Sequence, residues 1–517
     1  MSAWAEADTV IDELTQVIES QGGSENKSAI IVTTSSNSYI GETVHVDHMD
    51  GVESLTGTLE DQGDGTGKAI IYVSYVGKYR VYVDNDAEVM ADIPTLGSVA
   101  KTEINPYFLF GFHASGPLTD PDTIITPIEG CQNENFENVH VDFETGLIDG
   151  GDWFDVEIVD NKAKIKNAPF FFPRSCMLTY AGSVSYYLDE LDESKKEDGT
   201  ASDVSNTSYG GNAMMEWGQD DKIIYMKVVP DSNDETSGSY YFSDKKLDSG
   251  FKDYAFRDKN NEQVPHFYTA KYFGSGSASK MRSLSGQTNF VNDTAANEIA
   301  GARANGADIW DTTTLAQWML INGLLILMAG TTNTQAAYGT GRCKSTNTAA
   351  INTGTMDGKG MFWGSDDETS GVKVFGMENW WGNLWRRIRG YINASGTIKV
   401  KLTRGTNDGS TASDYNTDGT GYITIPSCTP SGTSGGYISE MKFTEYGMFP
   451  KVASGSDQTF YCDGLWFNNS QSNYAIVGGN WHYAGLGGAL CVVLNNAPSH
   501  AIADNGSALS CTPLKAA

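Results

Sequence analysis

Gly478-Gly479-Asn480-Trp481-His482-Tyr483-Ala484-Gly485-Leu486, continuing to Leu494-Asn495-Asn496-Ala497-Pro498-Ser499, is a small-residue frame interrupted by isolated larger and polar side chains. Glycines and a tryptophan fix a backbone, which leaves the residues between them free to face a ligand. Catalysis would demand converging nucleophiles, acids or metal ligands. Recognition needs only a rigid platform and the side chains on it, so the stretch predicts a binding surface.

The whole chain has 517 residues, enough for several domains, and its 39% hydrophobic and 11% aromatic content supports large packed cores. Lys+Arg 35 against Asp+Glu 65 gives a formal charge of -30. A phosphate backbone requires a basic footprint, and Arg386-Arg387-Ile388-Arg389 is only a local cluster in an acidic chain, so nucleic acid is excluded as a partner. The N-terminus lacks the charged start and apolar run of a secretory signal, so ordinary export is not expected. The most apolar run, Trp318 to Met328, is too short and interrupted to span a bilayer and reads as a core helix, so no membrane insertion is expected. Cysteines 131, 176, 343, 428, 462, 491 and 511 form no CxxC pattern and read as reduced, mostly buried thiols.

The spacing of Val10, Ile11, Leu14, Val17 and Ile18 predicts a helix in 1–24, ended by Gly22-Gly23. Across 25–92, Ala29–Val32, Thr43–Val46, Leu55–Leu59, Ala69–Val73 and Tyr79–Val83 alternate between Gly- and Asp-rich turns and predict a small β-sandwich. Gly41-Glu42-Thr43-Val44, Gly67-Lys68-Ala69 and Val76-Gly77-Lys78-Tyr79 resemble immunoglobulin-like modules of phage tail and adhesion proteins. Residues 93–265 read as a β-rich, aromatic region. Within it, 189–211 is polar enough to predict a solvent-facing loop, and Asp189-Glu190 and Asp192-Glu193 read as solvated acids because hydrolysis needs carboxylates opposed across a cleft.

Helical spacing returns at Thr294 to Asn305 and at Thr312 to Met328, the second capped by Asp311-Thr312 and buried through Leu315, Trp318, Met319 and Leu325. Leu315-Ala316-Gln317-Trp318, Trp381-Gly382-Asn383-Leu384-Trp385 and Gly478-Gly479-Asn480-Trp481 follow in the order of three markers of the formylglycine-generating-enzyme branch of the C-type lectin fold. With Ala484-Gly485, Asn495-Asn496-Ala497-Pro498-Ser499 and Gly506-Ser507-Ala508, the chain more closely resembles phage receptor-binding proteins diversified by retroelements. Ala508 stands where that pattern often carries arginine.

The resemblance implies a mixed, multidomain chain. An all-β immunoglobulin-like module is followed by the β-rich region and, over 266–517, an α+β C-type lectin-like domain. Trp318, Trp381, Gly382, Asn383, Trp385, Gly478, Gly479 and Trp481 are implied as scaffold, and His482, Tyr483, Leu486, His500, Ile502 and Asp504 as the variable ligand-binding surface. It further implies a virion protein of the tail or another exposed attachment structure. Its partners would be a bacterial surface glycan or protein, other virion proteins, and copies of itself, with a trimer expected. The competing reading is a head or tail decoration protein with no receptor.

Enzymatic oxidation of a substrate cysteine is the third reading. It needs a close cysteine pair, and Cys462 and Cys491 lie in contexts that do not match one, so no enzyme activity is expected. No cofactor is expected either. His45-Val46-Asp47-His48 has no second cluster to complete a zinc site. The oxygen-rich loop from Asn407 to Gly419 suits calcium in a structural role only, because its spacing does not fit the helix-loop-helix calcium pattern.

Overall fold

The computed structural model describes residues 28–34, 39–63, 66–83, 88–95, 98–103, 107–116, 120–456 and 461–515. The helix expected over 1–24 lies outside the described residues. The chain divides into two compact units, Met1–Tyr107 and Phe108–Ala517.

Alternation builds the first unit. In Gly67–Val73 every second residue is buried, which turns Ala69, Ile71 and Val73 inward. One four-stranded sheet runs in the order Glu60–Asp61, Gly67–Val73, Ser28–Thr34, Val99–Glu103, and the other in the order Ser54–Thr58, Thr43–His48, Gly77–Val83, Glu88–Ile93. Ile30, Val32 and Ile71 of the first share a core with Val44, Val46 and Val81 of the second, so the sheets form a sandwich. Ser28–Thr34 pairs antiparallel with Gly67–Val73 on one side and parallel with Val99–Glu103 on the other. That last pairing satisfies an otherwise open strand edge and carries the unit past residue 92.

The second unit is mixed α+β and β-rich. A six-stranded sheet takes Val184–Tyr187, Arg174–Thr179, Gly211–Trp217, Phe267–Ala270, Leu509–Cys511 and Trp310–Thr312 in that order. Its strands come from both sides of residue 265, so the 93–265 and 266–517 segments share one sheet. A ten-stranded sheet has Trp385–Ala394 between Thr397–Val400 and Ser472–Val477.

Helices α1 (Ala295–Arg303), α2 (Leu315–Ala329) and α3 (Thr334–Tyr338) lie in this unit. Every residue of α2 is buried, so the helix is core on all sides; each fully buried leucine or isoleucine contributes about 1.5–3 kcal/mol. Its cap is Thr314 and not Asp311-Thr312: the Thr314 hydroxyl accepts from Gln317 N at 3.4 Å, and Gln317 Oε1 accepts from Thr314 N at 3.1 Å. Asp311 and Thr312 belong to the strand Trp310–Thr312, where the Asp311 carboxylate pairs with Arg303 at 2.7 Å and Arg389 at 2.8 Å. No helix among the described residues is long and apolar enough to cross a membrane.

The segment 189–211 is more anchored than its polarity predicts. Glu193 is 1% exposed, and its Oε1 lies 2.5 Å from Lys373 Nζ and 3.1 Å from Lys271 Nζ. Two buried lysines need a buried anion, so this acid turns into the core while its neighbours remain near the surface.

Candidate functional site

The strand Trp385–Ala394 supports the C-terminal surface. Antiparallel Ser472–Val477 flanks it, and Asn505–Gly506 pairs with its first two residues in parallel. The chain leaves Ser472–Val477 through Gly478 and Gly479, whose φ angles of 89° and 85° lie in the left-handed region that favours glycine. A Cβ on Gly479 would stand 2.8 Å from Gly487 Cα, so the loop 478–487 closes tightly on itself there. Gly382 N donates to Gly478 O at 3.0 Å, and Trp481 N donates to Asn383 O at 3.1 Å. The two glycine-containing motifs therefore hold each other through backbone hydrogen bonds.

Trp318, Trp381 and Trp385 are 3%, 0% and 3% exposed, as expected of scaffold. Gly382 and Asn383 take φ angles of 70° and 64°, and the Asn383 side chain closes on Ile351 by accepting from its N–H and donating to its carbonyl. Trp481 differs. Its backbone is anchored, with its carbonyl accepting from Asn347 Nδ2 at 2.8 Å, but its side chain is only half-buried and stands 5.7 Å from the His482 ring. Trp481, implied as scaffold, thus anchors the loop through its backbone while its side chain reaches solvent.

From Trp481 the rings continue as a connected shelf. His482 is exposed and 5.1 Å from Tyr483, which meets Trp385 at 5.1 Å and Trp466 at 4.9 Å with ring planes near perpendicular. Tyr483 and Trp466 are half-buried, so one side of each faces solvent while the other packs on Trp385, Ile476, Cys491 and Val493. Trp466 was not singled out by sequence, although its strand Gly464–Phe467 carried apolar and aromatic residues throughout.

Asp504 joins the two C-terminal segments. Its Oδ2 accepts from the Nδ2 of fully buried Asn480 at 2.6 Å, and Asn480 Oδ1 accepts from His482 N at 3.1 Å. Burial pushes the Asp504 carboxyl up, while hydrogen bonds and the nearby His482 and His500 oppose the rise. Its Oδ1 is buried without a hydrogen-bond partner. Around this carboxylate the structure brings together His482, Tyr483, His500 and Asp504. Leu486 ends a short 3-10 turn beside Gly464, and Ile502 lies toward α1, its carbonyl accepting from Asn292 N at 3.1 Å.

The segment carrying His500 is tied to the core from below. Arg387 donates to Glu298 of α1 and to the carbonyl of His500, and Ser507 Oγ donates to Glu298 Oε2 at 2.5 Å. Arg389 pairs with Asp311, while Arg386 is buried between the faces of Phe273 and Trp380 at 4.6 and 4.7 Å. The arginine cluster is internal structure and presents no basic surface.

Among the described residues no group of three His, Cys, Asp or Glu side chains could hold a metal ion. His48 illustrates why its motif does not: Nδ1 accepts from Asp50 N at 3.1 Å and Nε2 contacts Val76 O at 3.0 Å, so both ring nitrogens are committed to backbone. In the loop considered for calcium, Asp408 accepts from the backbone of Leu402 and Thr403, and Asp414 pairs with Arg303 and Arg404. All seven cysteines are buried, and desolvation holds the Cys491 thiol well above its usual range. No protein-family model matches the chain, and a search of curated proteins finds no relative.

Proposed function

We propose that this chain is a phage virion receptor-binding protein that recognises a bacterial surface glycan or protein noncovalently through its C-terminal surface. In this reading the N-terminal sandwich is an immunoglobulin-like spacer and the C-terminal region a C-type lectin-like display domain, of the kind that retroelements diversify. The observation that carries the reading is the contrast between backbone and side chains over 478–504. Asn480, Gly478 and Gly479 are held in the core, whereas His482, Trp481, Tyr483 and His500 reach solvent in one neighbourhood. Such a shelf combines rigid aromatic area with hydrogen-bonding edges and needs no cofactor or catalytic step.

The protein acts as a homo-oligomer among other virion proteins, with a trimer expected, since multiplied weak sites gain avidity. Fluorescently labelled intact protein incubated with a panel of bacterial strains tests the reading. Saturable binding to some strains, competed by unlabelled protein, is the expected result; uniform absence of such binding across hosts of the phages that encode the chain overturns it.

A further inference from the structure

A second opening lies far along the sequence from the C-terminal surface. The cleft has a volume of about 340 Å³, and its wall includes Phe172, Pro173, Leu188, Met361, Glu190 and Gln219. Its formation follows from the two-sided anchoring of 189–193. Leu191 O accepts from Lys162 Nζ at 2.6 Å, Glu193 descends to Lys373 and Lys271, and Glu190 Oε1 accepts from Ile165 N at 3.0 Å. The Glu190 carboxyl is therefore held at a fixed place on the wall.

What it lacks is a counter-ion. Among the described residues no Lys, Arg or His forms an ion pair with Glu190, and Oε2 has no hydrogen-bond donor. Among the described residues on the wall the cation is Arg174, which is already engaged by Glu197 through bonds of 3.1 and 2.5 Å and covers Tyr187 at 3.5 Å. Lys373 and Lys271 are committed to Glu193, and they and Lys164 act on Glu190 only from a distance. Desolvation accordingly raises the Glu190 carboxyl above its usual range.

The uncommitted polar atoms nearby are two amide oxygens, which accept only, and the buried Ser175 hydroxyl, which donates or accepts. Gln219 Nε2 donates to Phe172 O at 2.7 Å and Asn167 Nδ2 donates to Asp155 Oδ2 at 2.5 Å, which leaves both amide oxygens facing no protein donor. A complementary ligand must bring a positive charge for Glu190, further donors for the two amides, and an apolar face for Phe172, Pro173, Leu188 and Met361. We propose that this cleft is a binding site for an amino sugar, with the ammonium group on Glu190, ring hydroxyls donating to Gln219 and Asn167, and the C–H face of the ring on the apolar wall. The site is separate from the C-terminal surface and stands or falls independently of it.

Calorimetric titration of the intact chain with glucosamine, glucose and cyclohexylamine tests the assignment. Glucosamine is expected to bind, with glucose, which lacks the ammonium, and cyclohexylamine, which lacks the hydroxyls, each weaker by about tenfold or more. Glu190→Gln keeps an acceptor for Ile165 N and should weaken glucosamine by about tenfold or more while leaving the weak glucose affinity unchanged. A measurement on the unaltered protein guards against a variant that fails to fold. Affinity for glucosamine should fall as pH is lowered through the Glu190 titration, since protonation removes the negative charge that the ammonium meets. Absence of glucosamine binding at millimolar concentration, equal binding of either control, indifference to Glu190→Gln in a folded variant, or a flat acid limb would each overturn the proposal.

Discussion

Asn480 Nδ2 donates to Asp504 Oδ2 at 2.6 Å and thereby ties the loop after Gly479 to the segment before the last strands. Asn480 is fully buried, whereas Asp504 reaches the surface, so one hydrogen bond links the core to the aromatic shelf. Asn480→Ala would leave the Asp504 carboxylate without this donor. The expected cost is about 1–3 kcal/mol in denaturant unfolding. Asn480→Asp should cost more at neutral pH, because two carboxylates would face each other, and the excess should vanish in acid; equal losses at both pH values would contradict the pairing.

Arg387 supports the same surface from the other side. Arg387 is 2% exposed, and its guanidinium holds both Glu298 and the carbonyl of His500. Arg387→Met leaves Glu298 buried without its cation and should cost about 3–5 kcal/mol, whereas the double change with Glu298→Met should recover much of the loss. Additive losses in the double variant would show that the two side chains do not act as a pair.

Asp463 gives the fold a pH dependence of definite sign. It is 1% exposed, accepts from Leu490 N at 2.6 Å, and burial pushes its carboxyl up to about 8. An unfolded aspartate titrates near ~3.9, so the folded state retains a proton that the unfolded state loses between these values. Stability is full below the unfolded value, declines as pH rises through the window, and levels off above the folded one. Asp463→Asn should abolish this share of the slope and exceed the unaltered protein by a few kcal/mol, on the order of 1.4 per unit of separation, above pH ~8. Glu378, pushed up to about 7 by burial, contributes a parallel decline in both proteins, so the difference between them is the quantity to follow. Identical pH profiles would remove Asp463 as a source.

Local pattern carried much of the architecture. Alternation located the strands Ser28–Thr34, Thr43–His48, Gly67–Val73 and Gly77–Val83, and helical spacing located α1 and α2. What it could not carry was pairing across long separations. Val99–Glu103 joins Ser28–Thr34, and Leu509–Cys511 inserts between Phe267–Ala270 and Trp310–Thr312, relationships with no signature within either strand. Glu193 likewise looked solvated because its lysine partners lie 78 and 180 residues further along. At the candidate site, glycine spacing marked the rigid turn at Gly478 and Gly479. The half-exposure of Trp481 and the arrival of Trp466 beneath Tyr483 depend on how the loop docks, which the motif alone does not specify.

In the proposed function the shelf around Asp504 recognises the receptor. The direct measurement is binding of intact protein to a strain that captures it, comparing the unaltered chain with Trp481→Ala/His482→Ala/His500→Ala. Tyr483 is retained because it packs on Trp385 and Trp466, and Ile158→Ala, an exposed change outside the shelf, is the control. The triple variant should lose affinity by at least about tenfold, or about 1.4 kcal/mol, while its thermal unfolding stays close to that of the control. Undiminished binding by a folded triple variant would contradict it.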